Sequence, residues 1–268
     1  MQTPVAADRN CCPDSRARLP VKLSISVVSH RQSALAAQLL QDIARLAPAD
    51  TEVILTINVP EPLDLSTHTY PFGLRVIRNG HAKGFGANHN AAFTVAEGRF
   101  FAVLNPDIRL IDDPFPLLLE AAAESGVGVA APLVLSTAGT LEDSARRFPT
   151  PMTIARKLLI GSHEPDYPID GQRISPDWVA GMFMLFCRDS FAAVNGFDQR
   201  YFLYYEDVDL CWRLRRAGLA AVVVTTARVV HDARRDSHRK LPFLRHHVSG
   251  MTRFFIRRGL SIFNPPRA

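Results

Sequence analysis

The chain has 268 residues, 47% hydrophobic and 21% charged, with 15 glycines and 19 prolines, enough for one large α/β domain or two small ones around a sizeable core. No run of eighteen or more apolar residues occurs, which excludes a membrane-crossing helix, and residues 1–20 lack the apolar stretch of a signal peptide and read as a disordered leader. The formal net charge of +5 is uneven: Arg234, Arg235, Arg239, Lys240, Arg245, Arg253, Arg257 and Arg258 crowd one segment, which would favour phosphates or form a solvated basic face.

Taken in chain order, Val21–Ser29 predicts a buried parallel strand, and Ala34–Leu46 a helix with Leu35, Leu39, Ile43 and Leu46 on one face. Glu52–Asn58 and Leu74–Arg78 read as strands, Gly84–Ala96 as a glycine-led helix, and Phe100–Leu104 as a fourth strand ending at Asn105-Pro106-Asp107. This β-α-β-β-α-β order is that of a doubly wound nucleotide-binding half, in which ligands collect at the carboxyl ends of the strands. His30, Asn58, Asn79 and Asp107 all stand at or just beyond such ends. Pro114–Glu124 predicts a helix and Val127–Pro132 a strand, whereas Thr137–Ser175 loses periodicity and reads as irregular. Val179–Cys187 predicts one strand, Arg188–Asn195 a short helix, Glu206–Ala217 a helix with an acidic start, and Ala220–Val224 a last buried strand before Arg228–His231. Leu241–Gly259 reads as a basic, aromatic helix. Cys11 and Cys12 are adjacent, Cys187 and Cys211 are distant, and no metal-type spacing appears, which fits a reduced, cytosolic compartment.

Four constellations carry chemistry. Asp107, after an apolar strand and a proline that sets the turn, could hold a hard divalent cation bridging two phosphate oxygens; Asn-Pro-Asp is also simply a good turn. Tyr204–Leu210 places Glu206, Asp207 and Asp209 at the front of a helix, where a carboxylate can serve as a general base or complement the helix dipole. Asn79–Asn90 (NGHAKGFGANHN) puts Gly84 and Gly86 before a helix, where backbone N–H groups can meet phosphate or sugar; it is not the dinucleotide fingerprint. His231, after an apolar run, is a candidate metal or phosphate ligand, or a structural histidine.

The order and spacing of Asn79–Asn90, Leu104–Asp107 (LNPD), Trp178–Arg188 (WVAGMFMLFCR), Gly196–Gly218 (GFDQRYFLYYEDVDLCWRLRRAG) and Val229–His231 resemble the family-2 inverting glycosyltransferases, in particular their rhamnosyltransferase-like branch, over residues 21 to 260. The resemblance implies an α/β GT-A fold: a single domain with a nucleotide-binding, doubly wound mixed sheet flanked by helices and a C-terminal acceptor-side region. It divides the chain into a donor half (about 21–112), an acceptor half (about 113–240) and a basic amphipathic helix and tail (241–268). It implies that Asp107 and His231 hold Mg2+ or Mn2+ with the donor diphosphate, that Asp207 is the general base, and that Trp178, Gly181 and Glu206 line the acceptor side. His30, Asn58, Asn79, Lys83, Gly84, Phe85, Asn90, Asn105 and Asp107 are the donor-binding residues on the same ground. Three positions depart from the family pattern: Ser29-His30-Arg31 where Thr-Tyr-Asn is usual, Ile57-Asn58 where Asp-Asn is usual, and Asn105 in place of the first acid of the DxD-type motif.

The function so implied is transfer of a sugar, with L-rhamnose from a dTDP donor as the candidate, to a glycan or polyprenyl-diphosphate-linked glycan in cell-surface polysaccharide synthesis. The site of action would be the cytoplasmic face of a membrane whose anionic surface the basic C-terminal helix contacts, with no nucleic-acid partner. The alternative is a non-catalytic nucleotide-sugar-binding partner of another transferase, favoured by the altered strand ends at His30 and Ile57.

Overall fold

The computed structural model describes residues 23–62, 69–160, 165–232 and 241–262. The leader, Cys11, Cys12, Arg234, Arg235, Arg239 and Lys240 lie outside them. Four parallel strands, β1 (Leu23–Ser29), β2 (Thr51–Ile57), β3 (Gly73–Arg78) and β4 (Phe100–Leu104), lie in the order β3-β2-β1-β4. The chain winds outward from β1 in one direction and then returns to its other side, so the crevice of this half opens where β1 and β4 end side by side. Helices α1 (Ser33–Leu46) and α2 (Phe85–Val95) make the crossovers that parallel neighbours require.

The second half extends the sheet as β4-β10-β6-β11-β5, with β5 (Ile108–Arg109), β6 (Val127–Ser136), β10 (Phe183–Cys187) and β11 (Ala220–His231). β10 runs antiparallel to both β4 and β6, and β8 (Arg173–Ile174) adds to β11. The sheet is therefore mixed, and it is continuous across the boundary expected near residue 112. A separate ribbon pairs β7 (Ala145–Arg146) with β9 (Trp178–Val179).

Alternation along the strands sends side chains to two cores. Leu23, Ile25, Val27, Phe100, Ala102 and Leu104 meet α1 and α3 (Phe115–Ala123) on one face. Phe101, Val103, Met184 and Phe186 meet α2, α5 (Arg188–Ala193), α6 (Glu206–Arg216) and α7 (Leu241–Ile262) on the other.

Three expectations need correction. Val179–Cys187 is not one strand: the chain turns at Ala180–Met182 and splits into β9 and β10, because Gly181 is drawn towards Asp207. The stretch Thr137–Ser175 is not irregular throughout; it contains β7, α4 (Pro151–Ile160) and β8. β6 also continues past Pro132 to Ser136, and β11 shifts register opposite that proline, which has no N–H to offer the ladder.

Candidate active site

Backbone pairing at the end of the parallel strands holds the donor-side residues in line. Asn58 N–H donates to Ser29 O at 2.8 Å, and Asn79 N–H to Ile57 O at 3.0 Å. The Asn58 side chain, 4% exposed, then organises the following loop. Its Oδ1 accepts from Lys83 N–H (2.8 Å) and Asn79 Nδ2 (3.0 Å), its Nδ2 donates to Lys83 O (2.9 Å), and the same Nδ2 lies 3.0 Å from His30 Nδ1. Asn88 closes the network from α2, accepting from Asn79 Nδ2 at 2.7 Å and donating to Gly84 O at 3.0 Å. The Lys83 side chain is exposed beside this frame.

Two donor-side assignments take a different role. A Cβ on Gly84 would stand 2.7 Å from Phe202 O, whose carbonyl accepts Phe85 N–H at 2.9 Å, so the chain's own backbone already requires glycine here. Asn90 is engaged at both ends of its amide by Phe197 N–H (2.9 Å) and Phe197 O (2.7 Å). Both residues lock α2 to the segment that leads into α6.

Asp107 and His231 meet through strand register. β5 pairs with β11 so that Ile108 faces His231, and Asp232 N–H donates to Asp107 O at 2.8 Å. His231 Nε2 lies 3.4 Å from Asp107 Oδ2, with both side chains 15% exposed. Burial opposes a charge on His231, but the hydrogen bond and charge of Asp107 outweigh it and raise its pKa. Asp107 Oδ1 and His231 Nδ1 are buried without a partner. Orphaned buried polar atoms are costly, so the open Asp107 Oδ1, beside the His231 Nε2 that faces the same carboxylate, fits a divalent cation. Among the described residues no cluster of three or more His, Cys, Asp or Glu could hold a metal, so the remaining ligands would come from donor phosphate and water. Asn105 shares the turn: its N–H donates to Met182 O at 2.9 Å and its carbonyl accepts from Ile108.

That Asn105–Met182 bond joins the two sides of the site, because Phe183 pairs with Leu104 and Gly181 precedes it by two residues. Gly181 N–H donates to Asp207 Oδ2 at 3.0 Å, and Val208 N–H to Asp207 Oδ1 at 2.8 Å. Burial raises the Asp207 pKa, opposed by those N–H groups and by Arg146. Glu206, expected on the acceptor side, is instead buried behind Asp207 with Oε2 unpartnered; burial and the Asp207 charge push its pKa well above the carboxylate range. Asp209 is fully buried as an ion-pair hub, 2.7 Å from Arg213 and 3.3 Å from Arg257. Trp178 is 8% exposed, with its Nε1 bonded to Arg147 O at 2.9 Å.

The turn before α6 is strained. Tyr204 and Tyr205 have φ of 69° and 70°, a region that costs non-glycine residues about 1–3 kcal/mol each. Helix α7 covers it: a Cβ on Gly250 would stand 2.7 Å from Tyr204 O, and His247 packs its ring against both tyrosines.

The model of the family described as "Glycosyl transferase family 2" matches residues 24–170, more than half of the chain. The chain belongs to glycosyl transferase family 2. It is 32% identical over 170 residues to Rhamnosyltransferase WbbL of Escherichia coli (strain K12), covering 59% of this chain and 64% of that protein. It is 34% identical over 139 residues to the N-acetylglucosaminyl-diphospho-decaprenol L-rhamnosyltransferase of Mycobacterium tuberculosis (strain ATCC 25618 / H37Rv), covering 48% and 45%. The chain thus spans roughly half to two thirds of the length of these curated relatives. Among solved structures, GalNAc-T7 with UDP, GalNAc and Mn2+ superposes with a TM-score of 0.63 at 14% identity, covering 82% of this chain and 45% of that one. The mannosyltransferase PcManGT of Pyrobaculum calidifontis with GDP-Man and Mn2+ gives 0.57 at 14%, covering 81% and 58%. The S. aureus TarS 1-349 complex with UDP-GlcNAc gives 0.56 at 15%, covering 81% and 60%. The fold is that of the GT-A glycosyltransferases.

Three residues of this family 2 chain escape a motif-by-motif reading. Asn88 lies inside the quoted Asn79–Asn90 segment, but its role depends on Asn58 and Asn79 arriving from other strands. Glu61 accepts from Arg31 and Ser33 N–H at 3.2 and 2.9 Å, filling the anion seat at the start of α1. Arg146 reaches the site from the stretch without periodicity.

Proposed function

We propose that this chain transfers a sugar from a nucleotide-diphosphate donor to an acceptor hydroxyl in cell-surface glycan synthesis, in one displacement that inverts the anomeric carbon. The observation that carries it is the pairing of two devices at one sheet edge: the Asp107–His231 pair with its open atoms, and Asp207 held by Gly181 N–H in a buried setting that raises its pKa. A carboxylate whose pKa is lifted towards neutrality is a better proton acceptor, as a general base requires.

In this reading the nucleotide lies over the strand ends framed by His30, Asn58 and Asn79. Asp207 takes the proton of the acceptor hydroxyl as its oxygen bonds to the anomeric carbon and the nucleotide diphosphate departs. Asp107 and His231 would hold Mg2+ or Mn2+, which offsets the charge on the departing diphosphate. Two solved proteins of the same fold carry Mn2+, which supports a divalent ion here. The two curated relatives are rhamnosyltransferases, one with a decaprenol-diphosphate-linked acceptor, and they support L-rhamnose from a dTDP donor and a lipid-linked acceptor. No described helix is long and apolar enough to cross a membrane, so contact with a lipid-borne acceptor would be peripheral, on an anionic surface at the cytoplasmic face.

The test is a thermal-shift and calorimetry panel of nucleotide sugars with and without Mn2+, followed by turnover. Wild-type protein should show a metal-dependent shift with one donor, and Asp107→Ala should lose most of it. Asp207→Asn should keep the shift and lose at least 100-fold in turnover. Turnover surviving in Asp207→Asn removes that residue as the base, and a metal-independent shift removes the Asp107–His231 cation.

A further inference from the structure

Arg146 sets a cation beside the proposed base: Asp143 pairs with it, and its charge and that of Asp207 act on each other. β7 pairs with β9 so that Arg146 lies opposite Trp178, and its guanidinium carbon stands 5.4 Å from the Trp178 ring centroid. Three residues further along the same segment as Trp178, Gly181 donates its N–H to Asp207. Trp178 and Gly181 therefore tie Arg146 and Asp207 to one four-residue segment. Strand alternation sends the next residue, Arg147, elsewhere: it stacks on Tyr167 and binds Asp166. Arg146 therefore lies on the Trp178 side of the ribbon.

Its partners leave capacity unused. Asp143 engages one terminal nitrogen and is itself 41% exposed, while the Arg146 Nε is buried without a partner. Its positive charge is felt by the surrounding groups: it helps lower the pKa of His247 and opposes the burial that raises those of Tyr205 and Asp207. For Asp207 this is a handicap, since a neighbouring cation weakens a base. A cation retained at that cost has a use if an anion arrives with the acceptor, where a planar, multi-donor guanidinium matches phosphate oxygens. The donor diphosphate has its own seat at Asp107 and His231, and a neutral acceptor sugar brings no charge.

We propose that Arg146, backed by the face of Trp178, forms the subsite for the phosphate of an acceptor whose hydroxyl is presented to Asp207. The acceptor is then a glycosyl phosphate or diphosphate rather than a neutral glycan. This rests on the reading of Asp207 as the base, and it adds a residue that reads the acceptor's charge.

Calorimetry with two soluble probes, a short-chain alkyl N-acetylglucosaminyl diphosphate and the matching uncharged alkyl N-acetylglucosaminide, tests it without membranes. Wild-type protein should bind the diphosphate at least 10-fold more tightly than the uncharged probe. Arg146→Gln should erase that preference while leaving affinity for the uncharged probe and for the donor nucleoside diphosphate within about 2-fold, and Arg146→Lys should recover part of it. The preference should persist in Asp207→Asn, so failure of the base assignment would show in turnover and not in this comparison. No preference in the wild type, a preference that survives in Arg146→Gln, or a loss confined to the donor each overturns the proposal.

Discussion

At the scale of single residues, the polar groups buried in this chain divide by whether they have partners. Asp209 has two arginines and the Tyr201 hydroxyl, and it belongs to the fold. Asp107, His231 and Arg146 each keep a buried atom open, and all three stand where substrate is expected. His89 combines both conditions: it is fully buried, with Nδ1 2.8 Å from Ser26 Oγ and Nε2 unpartnered, and burial holds its pKa down to about 3. An unfolded histidine titrates near 6.5, so between about pH 6.5 and 3 only the unfolded chain binds this proton, and stability falls as pH falls. The expected loss from this residue between pH 7 and 5 is about 2 kcal/mol. Urea melts at the two pH values should show a smaller pH difference for His89→Gln than for wild type by about that amount; equal differences would mean that the histidine is protonated in the folded state.

At the scale of elements, α7 has an unexpected role. Read from the sequence, Arg253, Arg257 and Arg258 form a free basic face; in the structure Arg257 pairs with Asp198 at 2.7 Å, Arg258 bonds Pro149 O at 3.0 Å, and Arg253 lies over Tyr201. Phe254, fully buried, anchors the helix among Tyr205, Trp212 and Phe148. The helix thus braces the strained Tyr204–Tyr205 turn from which Asp207 projects, and Gly250 permits the contact. Gly250→Ala should push α7 away from that turn. We expect turnover to fall about 10-fold or more with donor affinity unchanged, a split that steady-state kinetics beside donor titration would read. Donor affinity falling in parallel would instead indicate general unfolding.

At the scale of the whole molecule, the two halves share one sheet, and the hydrogen bonds of β4 with β10 and of β5 with β11 bring Asn105, Gly181, Asp107 and His231 to one edge. The outward side of α7 carries Leu244, Val248 and Ile256, exposed by 61%, 46% and 59%, on a helix segment with four arginines and no acidic residue. An exposed apolar stripe on a helix suits the interface of a bilayer. Leu244→Ser with Val248→Ser should reduce sedimentation with anionic vesicles several-fold without lowering the melting temperature, because both side chains are exposed. Equal sedimentation would leave the stripe a plain solvent-facing surface. Neutralising Arg257 should act differently, lowering the melting temperature through the loss of its ion pairs.

The amino-acid pattern alone determined the parallel half, since buried parallel strands and an amphipathic helix leave local periodic signals, as in Phe100–Leu104 and Leu35–Leu46. It also offered Asp107, His231 and the Glu206–Asp209 carboxylates as candidates, among which the family resemblance chose, and the structure brings Asp107 and His231 within 3.4 Å. Only the tertiary structure decided which polar residues work as scaffold. Gly84 and Asn90 look like ligand contacts until Phe202 and Phe197 are seen against them, and Glu206 looks exposed until its helix is packed. Arg146 was illegible for the complementary reason: its two-residue strand has no period to detect, and its meaning comes from pairing with Trp178, which lies more than thirty positions later in the chain. Local periodicity reports which face of an element is buried, whereas a residue's partners are set by contacts that close loops of many residues.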